Sequence, residues 1–536
     1  MRLIVKDYIA QLKEKDELDL LLCELYNQKG YIPDNIPKTG NRQYGVDIQM
    51  HNASEILLFV IKQGNIDRST WDSNQNSVRE SLDEIRDAYL NMLTTAERKK
   101  KIKIIVATNG LREESIRPNW NGYVNRNSSW NGKKIEICFL GIDEIVQLIQ
   151  EELFNEYLFD KTVQSALRKA LYFVGESDYK RQYYESVIDS LISNIRKAHT
   201  GKQSTKAMAC LHMASVMMSQ YASDSGVNKI AIMISEYTII RYWQYLLSEG
   251  GLGKNRYVEL LIKLCHDYEK WNDLYCEKVK EVCRVKEEFP NYNVVENRVL
   301  IYEILGYLVS YANYLYERND ERYREVLNSI ISLLINHPEF VYAPYDANIG
   351  TLIGLYRLMS KEGRMREIKI LMEQQGETLK RYYRQQNKYP APSDSFEEAV
   401  KIEFKTNDEP YEMSGFWGYF LLCVACADYK ELYESLKEFL DKDLSGVTKC
   451  VCFFRSNEET TFYDYYAMNR AGEGVALETE KDYKFFKKKT KFILDQYKSE
   501  KFSFDEFCFE ALEIMTCHYY GYIPRVNFNF INTKEQ

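Results

Sequence analysis

The sequence predicts an α/β domain over residues 1–155 followed by a large all-α region. Three observations carry that prediction. Apolar runs of strand length alternate with helical patterns up to about residue 150. Strand signals then nearly vanish, and long runs with helical spacing follow one another. Only 10 prolines occur in 536 residues, so little interrupts those runs.

In the first part, Leu18, Leu21, Leu22 and Leu25 mark a helix, with Glu17, Glu24 and Gln28 at the edge of its apolar stripe. Val46–Met50 and Ile56–Ile61 read as strands joined by the polar turn His51-Asn52-Ala53-Ser54. Ser77 with Glu80 has capping-box spacing. Val78, Leu82, Ile85, Tyr89 and Met92 then recur at helical intervals. Ile102–Ala107 reads as a buried strand stopped by Asn109-Gly110, Ile135–Leu140 as another, and Asp143 to Phe154 as a closing helix. The predicted order is α-β-β-α-β-β-α.

Beyond residue 155 the expected helices run from Lys206 to Tyr221, Lys229 to Ser248, Arg256 to Glu287, Asn297 to Glu317, Tyr323 to Asn336, Asn348 to Ser360 and Arg364 to Tyr383. Short turns such as Lys361-Glu362-Gly363 suggest stacked helical hairpins, a solenoid-like array without a fixed-period consensus. The expected division is a helical domain over 156–386 and a C-terminal helical region, 387–536, continuous with it. Asn387–Ser395 and Ser456–Gly474 break the pattern.

Composition sets limits on function. The chain is 45% apolar and 28% charged, with 43 tyrosines and 24 phenylalanines, as a packed globular protein requires. Its net charge is −8. Residues 1–150 hold 21 basic and 21 acidic side chains, so the whole acidic excess lies in the helical part. Polyanion contact is therefore expected to be local and N-terminal. The longest apolar stretch, Gly415 to Ala427, is too short to span a bilayer. The opening residues Met1–Asp7 lack the apolar run of a secretion signal. With 12 scattered cysteines, the expectation is a cytoplasmic protein with reduced thiols and no membrane contact.

Chemistry concentrates in Gly45-Val46-Asp47-Ile48 and Phe59-Val60-Ile61-Lys62-Gln63. An acid at the mouth of one strand and a lysine at the end of the next can hold a divalent cation and steady a phosphate. With the strand Ile104-Ile105-Val106-Ala107-Thr108 and the acidic first helix, these residues resemble the PD-(D/E)XK superfamily, the restriction-endonuclease-like fold. The likeness is to its Mrr and Holliday-junction-resolvase branch and covers roughly residues 10–150.

The resemblance implies a Mg²⁺- or Mn²⁺-dependent nuclease acting on DNA, of the kind found in bacterial anti-phage systems. Asp47 would hold the metal with the backbone carbonyl of Ile61, and Lys62 would orient the attacking water. The family carries Asp, Glu or Gln two residues before the lysine, where this chain has Val60. A substitute carboxylate is expected from Glu24, with Glu17 and Glu55 next, whereas Glu14 is expected to lie outside the site. Gln63, Asn65 and Arg68 are candidate nucleic-acid contacts, weighed against a loop that packs on Trp71. The helical region would sense a trigger, bind a protein partner of the same system or build a homo-oligomer. The rival reading is a catalytically degenerate domain serving as a nucleic-acid- or protein-binding scaffold.

Other motifs read as structural. Arg98-Lys99-Lys100-Lys101 fits a cationic helix C-terminus better than a phosphate site. Cys423-x-x-Cys426 and Cys450-x-Cys452 lie among core residues rather than in a zinc pattern. Gly250-Gly251-Leu252-Gly253-Lys254 lacks a preceding strand and reads as a turn between helices. The six histidines show no paired metal spacing.

Overall fold

The computed structural model describes residues 2–35, 44–73, 77–152, 161–176, 179–285, 293–406, 411–453, 462–464, 473–477, 479, 482–496 and 509–521. Two compact units result, Met1–Val227 and Asn228–Gln536. The first unit extends past residue 155, because three helices that follow the α/β part group with it, one of them the expected run from Lys206 to Tyr221.

The first unit opens with α1 (Arg2–Gln11), a π-helical turn at Glu14–Leu18, and α2 (Asp19–Gln28). Strands β1 (Ile32–Asn35), β2 (Ile48–His51) and β3 (Glu55–Lys62) follow. Then come α3 (Arg68–Asp72), α4 (Val78–Glu84), α5 (Leu90–Met92), β4 (Lys101–Thr108), α6 (Arg117–Arg126), β5 (Ser129–Trp130), β6 (Lys133–Leu140) and α7 (Ile142–Glu152). The sheet has six strands in the order β1-β2-β3-β4-β6-β5. β2 and β3 form an antiparallel hairpin, while β3, β4 and β6 run parallel.

The centre of β3 is buried on both faces, which is why it reads as a continuous apolar run. Ile56, Leu58 and Val60 join Trp71, Val78, Leu82, Val106 and Trp120 in the core beneath α3, α4 and α6. On the other face Phe59 meets Tyr26 of α2 edge-on, with ring centroids 5.0 Å apart. α1 and α2 pack on α7 there.

Several elements of this unit were not legible: α1, β1, α3, α6, β5 and, farther on, the helices at Lys161–Tyr172 and Gln182–Arg196. α6 is required by topology, because β4 and β6 are parallel and need a crossover. Its sequence hid it: Pro118 at the start and asparagines within give weak helix propensity. The start of α4 follows the expected cap, with the Glu80 amide donating to Ser77 Oγ at 3.3 Å. Arg98 and Lys99 lie in a short 3₁₀ turn and Lys101 begins β4, so the expected cationic helix C-terminus is not there. Residues 153–160, including the expected end of the closing helix, lie outside the described residues. The first unit continues with α8 (Lys161–Tyr172), α9 (Gln182–Arg196) and α10 (Gly201–Asp224).

The second unit follows the expected helical runs closely. It holds α11 (Asn228–Ser248), α12 (Asn255–Arg284), α13 (Val294–Glu317), α14 (Tyr323–Asn336), α15 (Ile349–Lys361), α16 (Met365–Gln386), α17 (Phe396–Glu403), α18 (Gly415–Cys426) and α19 (Lys430–Lys442). The glycine-rich segment Gly251–Gly253 is a turn between α11 and α12, as read. A helix distant in sequence, Phe509–Tyr520, packs on α11, α13 and α15, so the unit departs from a one-dimensional solenoid.

A small three-stranded sheet, Met413–Ser414 with Thr448–Phe453 and Glu473–Ala476, also interrupts the all-α expectation. Cys423 lies on α18 and Cys450 on the middle strand of that sheet, and burial pushes the Cys423 thiol well up, as for core cysteines. Among the described residues, no helix is long and apolar enough to cross a membrane.

Candidate active site

The site is built from the open end of the β2–β3 hairpin. Tyr44 and Gly45 both have positive φ, 49° and 79°, which turns the chain sharply into β2. A side chain at position 45 would meet the Ser81 carbonyl of α4 at 2.2 Å, so only glycine fits. This contact fixes where Asp47 begins.

Asp47 sits at a bulge. Its amide donates to the Phe59 carbonyl at 2.8 Å, yet Ile48 is the residue paired with Phe59. Two residues of one strand thus face one of the other, a device that re-aims a side chain. The Asp47 carboxylate takes over as ladder acceptor: Oδ2 accepts the Ile61 amide at 2.7 Å. Burial raises its pKa to about 6 against the opposing pull of the Ile61 amide and the Lys62 charge. The Glu14 carboxylate pushes it further up, and Lys15 pulls it down.

Asp47, Lys62 and Glu14 therefore share one corner of the unit. Lys62 ends β3, paired with Thr108 at the end of β4. Glu14 reaches the corner because the π-helical turn Glu14–Leu18, closed by the Leu18 amide donating to the Lys13 carbonyl at 3.0 Å, packs on β3. Single π turns inside helical segments recur at functional sites. The buried Asn109 amide fastens this arrangement. It donates to the carbonyls of Leu12 at 2.7 Å and Ala10 at 3.1 Å, and accepts from Gly64 at 2.6 Å. One side chain thus ties the end of α1 to the loop that follows Lys62.

Several expected site residues lie elsewhere. Glu24, expected as the substitute carboxylate, lies on α2, which packs on α10, and its charge acts on the buried Cys210 thiol of that helix. The helix edge was read properly, but that edge is covered by a chain segment far along the sequence. Glu17 accepts the Lys13 amide at 2.9 Å and closes its own turn. Glu55 begins β3, at the end opposite Lys62, bound to Tyr31 at 2.6 Å and Lys101 at 3.3 Å.

Glu14, expected outside the site, is the acid whose charge reaches Asp47. The signal available was the charged run Lys13–Glu17 between two helices, which an apolar-stripe reading passes over. Asn109 was read only as a strand stop.

Val60 is fully buried in the core beneath α3, α4 and α6, so no ligand stands at its position. Among the described residues, no three His, Cys, Asp or Glu side chains gather where they could share a metal ion. The acids that meet at this corner among the described residues are Asp47 and Glu14. That number suits Mg²⁺, which takes one or two carboxylates and completes its shell with water and phosphate.

Past Lys62, Gln63 and Arg68 are exposed. Asn65 is exposed as well, but its side-chain oxygen accepts the Leu111 amide at 2.9 Å. The loop is anchored by Trp71, buried against Trp120 at 5.8 Å, as the packing alternative anticipated. No family model, curated protein or solved structure matches the chain.

Proposed function

We propose that the first unit is a divalent-metal phosphodiesterase that cleaves nucleic acid, DNA foremost. The observation that carries this reading is the meeting of Asp47, Glu14 and Lys62 at one strand end, with the Asp47 carboxyl held near a pKa of 6 by burial. The parallel β3–β4–β6 core with its antiparallel hairpin supports the resemblance to PD-(D/E)XK nucleases.

Asp47, fixed through one oxygen by Ile61, would hold Mg²⁺ or Mn²⁺ through its other oxygen. Glu14 and the Ile61 carbonyl complete the protein's share of the shell. The ion, when bound, supplies a Lewis acid and a water made acidic enough to attack phosphorus. Lys62 donates to a non-bridging phosphate oxygen and offsets the charge that builds there. Lys15, Gln63 and Arg68 would contact the flanking backbone. The helical unit then serves as sensor, partner-binding or oligomer-forming module of a defence effector.

The rival reading is a scaffold that has lost catalysis. Val60, where the family carries an acid or Gln, favours it. The experiment that separates the two is incubation of the purified full chain with supercoiled plasmid and Mg²⁺ or Mn²⁺, with EDTA as control. Nicking or linearisation that both EDTA and Asp47→Asn abolish is expected. No conversion with either metal, on duplex or single-stranded substrates, leaves the scaffold.

A further inference from the structure

A second feature of the first unit stands apart from this site. At the end of the sheet where β3 and β4 begin, cations gather without carboxylate partners. β3 and β4 pair from Glu55–Lys101 to Lys62–Thr108, so this end lies about 23 Å from Lys62 at strand spacing.

Two segments build it. The first is the 3₁₀ turn Glu97–Lys99. The second is the hairpin of β5 and β6, whose two-residue turn Asn131-Gly132 has φ values of 48° and 77°. The Lys133 ammonium donates to the Arg98 carbonyl and joins them. The Arg98 guanidinium lies over the Trp130 ring, 5.8 Å from its centroid, and donates to the Asn91 carbonyl. Arg86 donates to the carbonyls of Asn127 at 2.9 Å and Ser129 at 3.4 Å. Lys99, Lys133 and Lys134 are exposed.

Carbonyl acceptors orient a cation but leave its charge uncompensated. The contrast with neighbouring lysines is direct. Lys101 is paired with Glu55 and Glu136, and Lys103 with Glu136. Among the described residues, Arg86, Arg98, Lys99, Lys133 and Lys134 have no such partner. Of the nearby acids, Glu97 accepts from Thr94 and Gln49, and Asp83 accepts from the Tyr123 hydroxyl and pairs with Arg79 at 3.9 Å, so neither is paired with a cation of this cluster. In a chain of net charge −8, this is a local gathering of cations.

We infer that this cluster is a docking surface for the phosphodiester backbone of nucleic acid, separate from the Asp47 corner. A phosphate backbone asks only for positioned cations. A protein partner would ask for an apolar centre, and the aromatic ring here, Trp130, is covered by Arg98. The contact is sequence-independent, since it is made to phosphates and not to base edges.

The inference does not rest on cleavage, so its test is run in EDTA. Anisotropy of labelled DNA duplex, single-stranded DNA and RNA duplex is measured against salt with the full-length protein. The triple variant Lys99→Gln, Lys133→Gln, Lys134→Gln is compared with wild type. All three side chains are exposed, so circular dichroism and melting are expected to be unchanged. The variant is expected to bind at least about 10-fold more weakly near 0.1 M salt, with the salt slope lower by about 2 to 3. The three ligands show which nucleic acid the surface prefers. An unchanged slope in the variant overturns the inference. So does a wild-type protein that binds none of the three at low salt, or one that holds polyglutamate as tightly as the duplex.

Discussion

The Asp47 carboxylate accepts the Ile61 amide at 2.7 Å, across the open end of the hairpin. This single bond replaces a rung of the β-ladder with a side chain. It holds an acid at a strand end while the chain behind it turns away through Gly45. It also holds that acid in a partly buried place, and burial is the first cause of its raised pKa, about 6. The same geometry therefore prepares a ligand and stores a stability penalty.

That penalty has a definite sign. The folded value lies above the ordinary carboxylate pKa of about 4, so the contribution to stability is complete below about pH 4. It is lost as pH rises through about 6. Asp47→Asn keeps an oxygen for the Ile61 amide and removes the charge. The variant is expected to melt higher than wild type near pH 8, by at most about 3 kcal/mol, and to match it near pH 4. Mg²⁺ should raise the wild-type melting temperature near pH 8 and leave the variant unmoved. A variant less stable than wild type near pH 8 contradicts the assignment of burial as the dominant cause.

Glu14 and Glu24 are separated by a second measurement. Glu14→Gln removes a negative charge that acts on Asp47, so the Asp47 pKa should fall. Cleavage should drop by roughly 100-fold or more, at the upper end of what removing support for a metal ligand does, and more metal should be needed. Glu24→Gln should leave both metal dependence and cleavage near wild type, because the Glu24 charge acts on Cys210. Metal titrations of cleavage check the pair. Equal behaviour of the two variants would remove Glu14 from the site.

Val60 offers a test of the site's limits. Restoring the family's acid as Val60→Glu places a carboxyl among Leu58, Val106 and Trp71. Burial without a partner should destabilise the unit by about 3 kcal/mol or more. Urea unfolding should show the loss, and cleavage should not improve. A stable Val60→Glu protein with enhanced cleavage is the outcome that sinks this view of position 60.

The second unit has its own buried carboxyl. Glu236 is fully buried on α11, with His518 Nδ1 at 3.7 Å, and neither of its oxygens has a hydrogen-bond partner among the described residues. Gly306 leaves room for the imidazole, since a side chain there would lie 2.5 Å from the His518 ring. His518→Ala leaves the carboxyl alone and should destabilise by about 3 to 5 kcal/mol. Replacing both together, Glu236→Met with His518→Leu, should be neutral or stabilising by about 1 to 4 kcal/mol. Chemical denaturation of the three proteins checks this. A double variant as unstable as His518→Ala shows that packing, not the buried pair, sets the effect.

The sequence by itself determined what local pattern can determine. Short continuous apolar runs placed β3 and β4, and period-3.6 spacing placed the runs from α11 to α16, because these patterns are written in consecutive residues. It also marked Asp47 and Lys62, since an acid and a lysine at two strand ends are legible without knowing what surrounds them.

Tertiary structure decided the rest. Glu24 and Glu14 look alike in sequence, one at a helix edge and one in a charged turn. Only packing sends the first toward α10 and the second toward Asp47. α6 was hidden because a crossover is demanded by strands that pair 33 residues apart, not by its own weak propensity. The cationic surface beside Trp130 needed two segments brought together by a hairpin and a carbonyl. In each case the deciding contact joins residues distant in the chain, and no periodicity within a segment records its partner.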